Sequence, residues 1–285
     1  MLLILGLAAS AAGLHGQVQV SLRLERDQFV AHEAVLASLT ITNRSGRDIY
    51  LHSDKGQSWL DFVIKNQRGT PLTSLQRGAG FKAVNVPAGR SVSQTVNLSS
   101  LYPLSSYGRY AGYAVVRIPG DGQNVFSSNR LSFNVTKART LYSQRIGVGG
   151  VSNPREYRLL TFSRKGKTHL YVQVEDLKRG RILQTYSVGE VLTFRQPHAT
   201  VDGANNLHFL YLVSPTVFTH AVVNPEGKFL GSEQFKRGAT GEPRLVTFAN
   251  GEVQVGGGVP YDPAAARARR GTVRKLSERP KFAYR

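Results

Sequence analysis

Four side chains in the C-terminal half are of types that could meet around a metal ion or work as an acid–base set: His198, Asp202, His208 and His220. Imidazole nitrogens and a carboxylate are ordinary zinc ligands, and the same groups hold or move protons near neutral pH. That chemistry requires strands to bring them within a few ångström of one another. His198 precedes an Asp202-Gly203 turn, and His208 and His220 sit on two later apolar runs. The spacing allows convergence without requiring it, and polar residues satisfied on a sheet face are the competing reading. No catalytic residue and no cofactor site follows from motifs. Gly-x-Ser-x-Gly, the phosphate-binding loop, the dinucleotide glycines and His-Glu-x-x-His are all absent. Glu175-Asp176, just before Lys178-Arg179-Gly180-Arg181, reads as a solvated hairpin tip. Gly256-Gly257-Gly258 reads as a close backbone approach, with no helix behind it to offer an anion its N-terminus.

A second chemical feature is a basic end. Residues 264–285 hold eight Lys or Arg and one Glu, so this short stretch carries +7 of the net +19. Arg267, Arg269, Arg270, Arg274 and Lys275 are its candidate anion-binding group. Attraction to phosphate or acidic polysaccharide there would be long-range and salt-dependent. Residues 1–140 contribute +8 and residues 141–263 only +4, so the charge is not spread evenly.

The elements that must position these groups read as strands. Val18, Val20, Leu22 and Leu24 alternate with polar residues, as do Val35, Ala37, Leu39 and Ile41. A period of two is the signature of a half-buried strand. Further runs at Ile49–Leu51, Trp59–Ile64, Phe81–Val86, Val92–Leu98, Tyr110–Ile118 and Leu131–Val135 are separated by Gly-, Pro- and Asn-rich turns. This pattern predicts an antiparallel β-sandwich over residues 17–140. Gly108-Arg109-Tyr110 is placed for a tyrosine corner. The Gly-rich, polar segment Arg139–Pro154 reads as the boundary to a second domain, residues 141–263. There, strand–Gly turn–strand units recur: Tyr157–Phe162 with His169–Val174, His198–Val201 with Leu207–Val213, and Arg244–Phe248 with Glu252–Val255. Such units are blade-like, but a closed propeller takes about four to eight blades. A compact antiparallel sheet domain is therefore expected, and residues 264–285 read as a flexible tail. The fold class is all-β.

The N-terminus bears on location. MLLILGLAASAA is apolar and uncharged, and Ala9-Ser10-Ala11 fits a small-x-small cleavage site. The run is shorter than a bilayer core of roughly 30 Å demands. Residues 1–16 are accordingly read as a signal peptide, and no later stretch is apolar enough to span a membrane. The expected location is periplasmic or secreted. The 285 residues include no cysteine, which excludes disulfide frameworks, thiol catalysis and Cys-ligated metals. Export disfavours nucleic acid as the partner; another envelope protein or an anionic envelope surface is expected instead.

His52-Ser53-Asp54-Lys55-Gly56-Gln57-Ser58-Trp59-Leu60-Asp61-Phe62-Val63-Ile64 resembles the Ser-Gly-Gln-x-x-Asp-Phe-x-Val segment of the bacterial intracellular proteinase inhibitor family. Leu39-Thr40-Ile41-Thr42-Asn43, Val86-Pro87-Ala88-Gly89 and Gly108-Arg109-Tyr110 are similar to that family's V-x-N strand, P-x-G turn and late Gly-x-Tyr. The likeness covers residues 35–118 and departs from some members at Leu60, where they have Tyr. It implies an immunoglobulin-like fold and, as one functional expectation, protease inhibition through a loop such as Gly69–Gly80, which holds Arg77. The reading the sequence favours is a non-enzymatic binding or scaffolding module of a bacterial envelope. Protease inhibition and an enzyme site around His198, Asp202 and His220 are the alternatives.

Overall fold

The computed structural model describes residues 18–54, 56–76, 80–120, 125–148 and 153–271. The expected signal peptide lies outside them, as does Arg77 of the expected inhibitory loop. The chain divides into two compact units, Met1–Lys137 and Ala138–Arg285.

In the first unit, β1 (Val18–Leu24), β3 (Leu36–Asn43) and β7 (Ser91–Asn97) form one antiparallel sheet. A second runs in the order β2 (Gln28–Val30), β10 (Leu131–Thr136), β8 (Gly108–Arg117), β5 (Leu60–Lys65), with β9 (Val125–Ser127) beside β8. Among the described residues only β2 and β10 pair in parallel. A two-stranded ribbon joins β4 (Ile49–Leu51) to β6 (Val84–Val86), and one helical turn, α1 (Leu98–Leu101), follows β7. Alternation does what the sequence promised: Val18, Val20 and Leu22 of β1 point into the same core as Leu39 and Ile41 of β3 and Phe62 and Phe133 of the other sheet. That shared apolar core makes the unit a sandwich. Trp59 lies within it, 2% exposed.

Most polar groups buried in this unit are met by nearby backbone, and the buried Glu33 pairs with Arg26. Tyr110 donates its hydroxyl to the Ser106 carbonyl at 2.7 Å, the upstream bond of a tyrosine corner. Asn43 is fully buried. Its amide donates to the Arg47 and Val86 carbonyls, and its oxygen accepts from the Ser45 backbone N–H and hydroxyl. Asn129 meets both the N–H and the carbonyl of Leu22, at 2.9 and 3.0 Å, so a side chain stands in for a neighbouring strand.

The second unit begins close to the expected boundary, and part of the segment read as that boundary is a strand: Arg139–Gly147 is the nine-residue β11. It pairs along β12 (Pro154–Arg164), which continues through β13 (Lys167–Asp176) to β14 (Arg181–Glu190) as an antiparallel meander. A second meander runs β15 (His198–Val201), β16 (Leu207–Ser214), β17 (Val217–Val223), β18 (Phe229–Arg237), and β21 (Gly258–Pro260) adds to its far edge. A hairpin of β19 (Arg244–Thr247) and β20 (Val253–Gly256) completes the strands. Tyr157, Leu159, Leu170 and Val172 of the first meander share a core with Leu207, Phe209, Tyr211 and Ala221 of the second. Two of the expected strand–turn–strand units are thus the central pair of a meander and the start of another; the third is a bare hairpin.

Two further readings change. Glu175 and Asp176 are the last residues of β13, and each belongs to an ion-pair group of its own, not to a solvated tip. Asp176 is 1% exposed and meets Arg155 at 3.2 Å, while Arg158 bridges Glu175 and Glu156. The start of the expected tail is helical: α2 spans Pro263–Gly271. Asp262 caps it, its Oδ1 accepting the Ala264 and Ala265 N–H groups at 2.7 and 3.2 Å. An Asp cap, a Pro at the first helical position and an Ala run are a helix-start signal. A helix therefore does follow Gly256-Gly257-Gly258. The glycines themselves are where backbones meet: a Cβ on Gly257 would lie 2.5 Å from the Glu242 carbonyl oxygen.

Candidate functional site

The second meander places the four sequence candidates on one sheet face. In antiparallel ladders, directly paired residues point the same way. His198 pairs with Leu210, Leu210 with His220, and His220 with Glu233, which makes one row across four strands. His208 lies in the next row, paired with Thr200 and Val222. His208 and His220 are therefore diagonal neighbours. Asp202 stands in the turn after β15, on the side of His208.

Three of the four groups join. Asp202 Oδ2 meets His208 Nε2 at 3.1 Å, and His208 Nδ1 meets His220 Nε2 at 3.0 Å. The two rings stack with centroids 5.2 Å apart. The remaining valences of Asp202 bind its own turn: Oδ1 accepts the Ala204 and Asn206 N–H groups, and Oδ2 also accepts the Asn206 amide. Burial works against an ionised Asp202, but the Asn206 side chain and backbone donors and His208 outweigh it and hold its carboxyl below the usual carboxylate range. An ionised Asp202 can only accept, so His208 donates to it through Nε2–H, and His208 Nδ1 shares one hydrogen with His220 Nε2. Burial, reinforced by His208, pushes His220 down to about 4, so it stays neutral at neutral pH.

This arrangement spends both nitrogens of His208 inside the protein, leaving no lone pair for a metal. Among the described residues no three His, Cys, Asp or Glu side chains converge on a point that could hold a metal ion. The trio joins the turn after β15 to β16 and β17. It also sits behind the β19–β20 hairpin, because Gly203 in the same turn donates its N–H to the Gly251 carbonyl at 2.9 Å.

His198 is the member left out. It is exposed and lines a cleft of about 420 Å³ on the same face. The cleft floor is apolar: Leu210, Leu212 and Phe218 are at most 5% exposed and pack against Leu245 and Val255 of the hairpin. The rim is polar. Arg195 pairs with Glu242 and lays its guanidinium 5.6 Å from the Phe218 ring centroid. Arg244 is exposed on the other wall. Sequence reading missed Arg195, Glu242 and Arg244, and nothing local marks them: Arg195 and Glu242 are 47 residues apart. Of the basic-end candidates, Arg267, Arg269 and Arg270 fall in α2, whereas Arg274 and Lys275 lie outside the described residues.

No protein-family model and no curated protein matches the chain. Among solved structures it is similar to Spo0M, a sporulation control protein from Bacillus subtilis. The TM-score is 0.27 and the identity 9%, over 61% of this chain and 91% of that one. A likeness of that size is too slight to bear on fold or function. Among the described residues no helix is long and apolar enough to cross a membrane.

Proposed function

We propose that the protein is an exported, non-enzymatic binding module of a bacterial envelope, and that its second unit receives a small ligand in the cleft above Phe218. The observation that carries this reading is the cleft itself, with an apolar floor of Leu210, Leu212 and Phe218 under a rim of charged side chains. Its volume of about 420 Å³ falls within the range of about 300–1,000 Å³ usual for small-molecule sites. The Asp202–His208–His220 trio supports a binding role over an enzymatic one, because its donors and acceptors are directed at one another and at the turn they brace. The N-terminal sandwich is proposed to be immunoglobulin-like. Its sheet orders β1-β3-β7 and β2-β10-β8-β5, the parallel β2–β10 pair and the Tyr110 corner support that assignment.

Ligand-observed NMR of the full chain against a panel of apolar and amphiphilic fragments tests the binding reading. Fragments should bind, and a Leu212→Glu variant, which sets a charge on the floor, should lose them. Binding that survives in that variant, or chemical turnover of a bound fragment, sinks the proposal.

A further inference from the structure

The rim of the cleft specifies more than size. Two guanidinium groups, Arg195 and Arg244, share the rim with one carboxylate, Glu242, and the exposed His198 also lines it. Arg195 is held from two directions, by Glu242 and by the Phe218 ring. That fixes its geometry and leaves Glu242 to balance its charge. Arg244 differs. Its backbone is set by the β19–β20 ladder, paired with Gly256, and Pro243 before it restricts the approach of the chain. Among the described residues its guanidinium makes no ion pair or hydrogen bond. The rim thus carries one guanidinium without an acidic partner among the described residues, on a rigid backbone beside an apolar floor. Glu242 on the same rim disfavours a dianion by like-charge repulsion, whereas a single negative charge balances the surplus.

Resting on the binding reading above, we infer that the cleft selects a carboxylate joined directly to an apolar body, with Arg244 taking the carboxylate and Leu210, Leu212 and Phe218 taking the body. A guanidinium offers two parallel N–H donors that match a carboxylate, and such charge-assisted pairs are about twice as strong as neutral ones. Two sources share this chemistry: a free organic acid and the C-terminal residue of a peptide.

Isothermal titration calorimetry of the full chain with 3-phenylpropionate, 3-phenylpropionamide and 3-phenylpropylamine tests the charge rule. These probes share one apolar body and differ in head-group charge. The acid should bind at least about tenfold more tightly than the amide, and the amine most weakly. Arg244→Ala should abolish the acid's advantage while leaving amide affinity and the thermal unfolding curve unchanged; Arg244→Lys should restore part of it. Equal binding of acid, amide and amine overturns the carboxylate inference but keeps the binding reading. No binding of any of the three overturns both. A further arm compares N-acetylphenylalanine with 3-phenylpropionate. Tighter binding of the former assigns the site to peptide ends, and the reverse assigns it to free acids.

Discussion

The two units solve the burial of polar groups in different ways. The first unit buries mostly neutral groups, each inside a local set of backbone partners: Asn43 in its turn, Tyr102 on the Phe62 carbonyl, Tyr110 on Ser106; its buried carboxylate Glu33 pairs with Arg26 and accepts the Val30 N–H. The second buries ionisable groups in sets. Arg155 with Asp176 form one set, Arg158 with Glu156 and Glu175 a second, and Asp202, His208 and His220 a third. A neutral group with its hydrogen bonds made is nearly indifferent to pH and salt. A buried ion depends on its partner, because removing one member leaves the other charged and dry. The first unit should therefore fail when its apolar packing fails, and the second when its charge pairing fails. Trp59, the only tryptophan, lies in the first unit. Its fluorescence reports that unit, and circular dichroism reports both.

The largest effects should separate the two designs. Phe133→Ala removes a ring that stacks on Tyr110 and meets Phe29 edge-on, at centroid distances of 5.5 and 5.7 Å. The expected loss is about 3–5 kcal/mol, seen as an early Trp59 transition in urea. Asp176→Ala should cost the second unit a similar amount, about 3–5 kcal/mol, by stranding Arg155. The sharper test is the double variant Arg155→Met with Asp176→Leu, which removes both charges and keeps bulk. It should regain most of the loss. A double variant as unstable as the single one would show that the pair acts through shape and not through charge.

Asn43→Ala should come next. It leaves several buried partners unmet, at about 1–3 kcal/mol for a stranded group, and its cost should be the same at pH 5 and pH 8. A loss that varies with pH would contradict the neutral character of Asn43 and its partners.

The sequence disclosed these two units unequally. In the first, β1 was legible from Val18-Gln19-Val20-Ser21-Leu22, because one face meets the core and the other meets water. β2 was not, because three residues hold no period and its partner β10 lies about a hundred residues on. In the second, β15 and β17 were legible to the residue, while β11 lay inside the segment read as the domain boundary. Its burial is shallow, and its strand character comes from pairing along β12. The trio of Asp202, His208 and His220 could be named because each sits at or near a strand end or turn that patterning marks. That His208 would turn both nitrogens inward depended on register, which spacing does not reveal. The cleft was invisible for a related reason: Arg195 and Glu242 meet only once the turns before β15 and β19 are brought together.

A smaller effect should appear in the second unit on acidification. His220 has an ordinary value of 6.5 when unfolded and about 4 when folded. Between those values the unfolded chain takes up a proton that the folded chain refuses, so folding is favoured more as pH rises. The contribution is complete above about pH 6.5 and fades as pH falls towards 4. Asp202, held below its ordinary 3.8, adds a separate loss only under that pH. His220→Phe should flatten the profile between pH 6.5 and 4 in circular dichroism melts. An unchanged slope in that variant would place the sensitivity elsewhere.

The smallest stability effect should come from a charged pair that is exposed and not buried. Arg195 and Glu242 are each nearly half exposed, and such pairs contribute about 0–1 kcal/mol. Glu242→Gln should leave the melting curve nearly unchanged, in contrast with Asp176→Ala. It should nonetheless alter binding, because it frees a second guanidinium over the same apolar floor. Affinity for 3-phenylpropionate should rise by roughly threefold to tenfold, most strongly at low salt, where exposed charges are least screened. Unchanged carboxylate affinity, with the fold intact, would mean that Arg195 faces Phe218 and not the ligand. The electrostatics of the cleft would then rest on Arg244 alone.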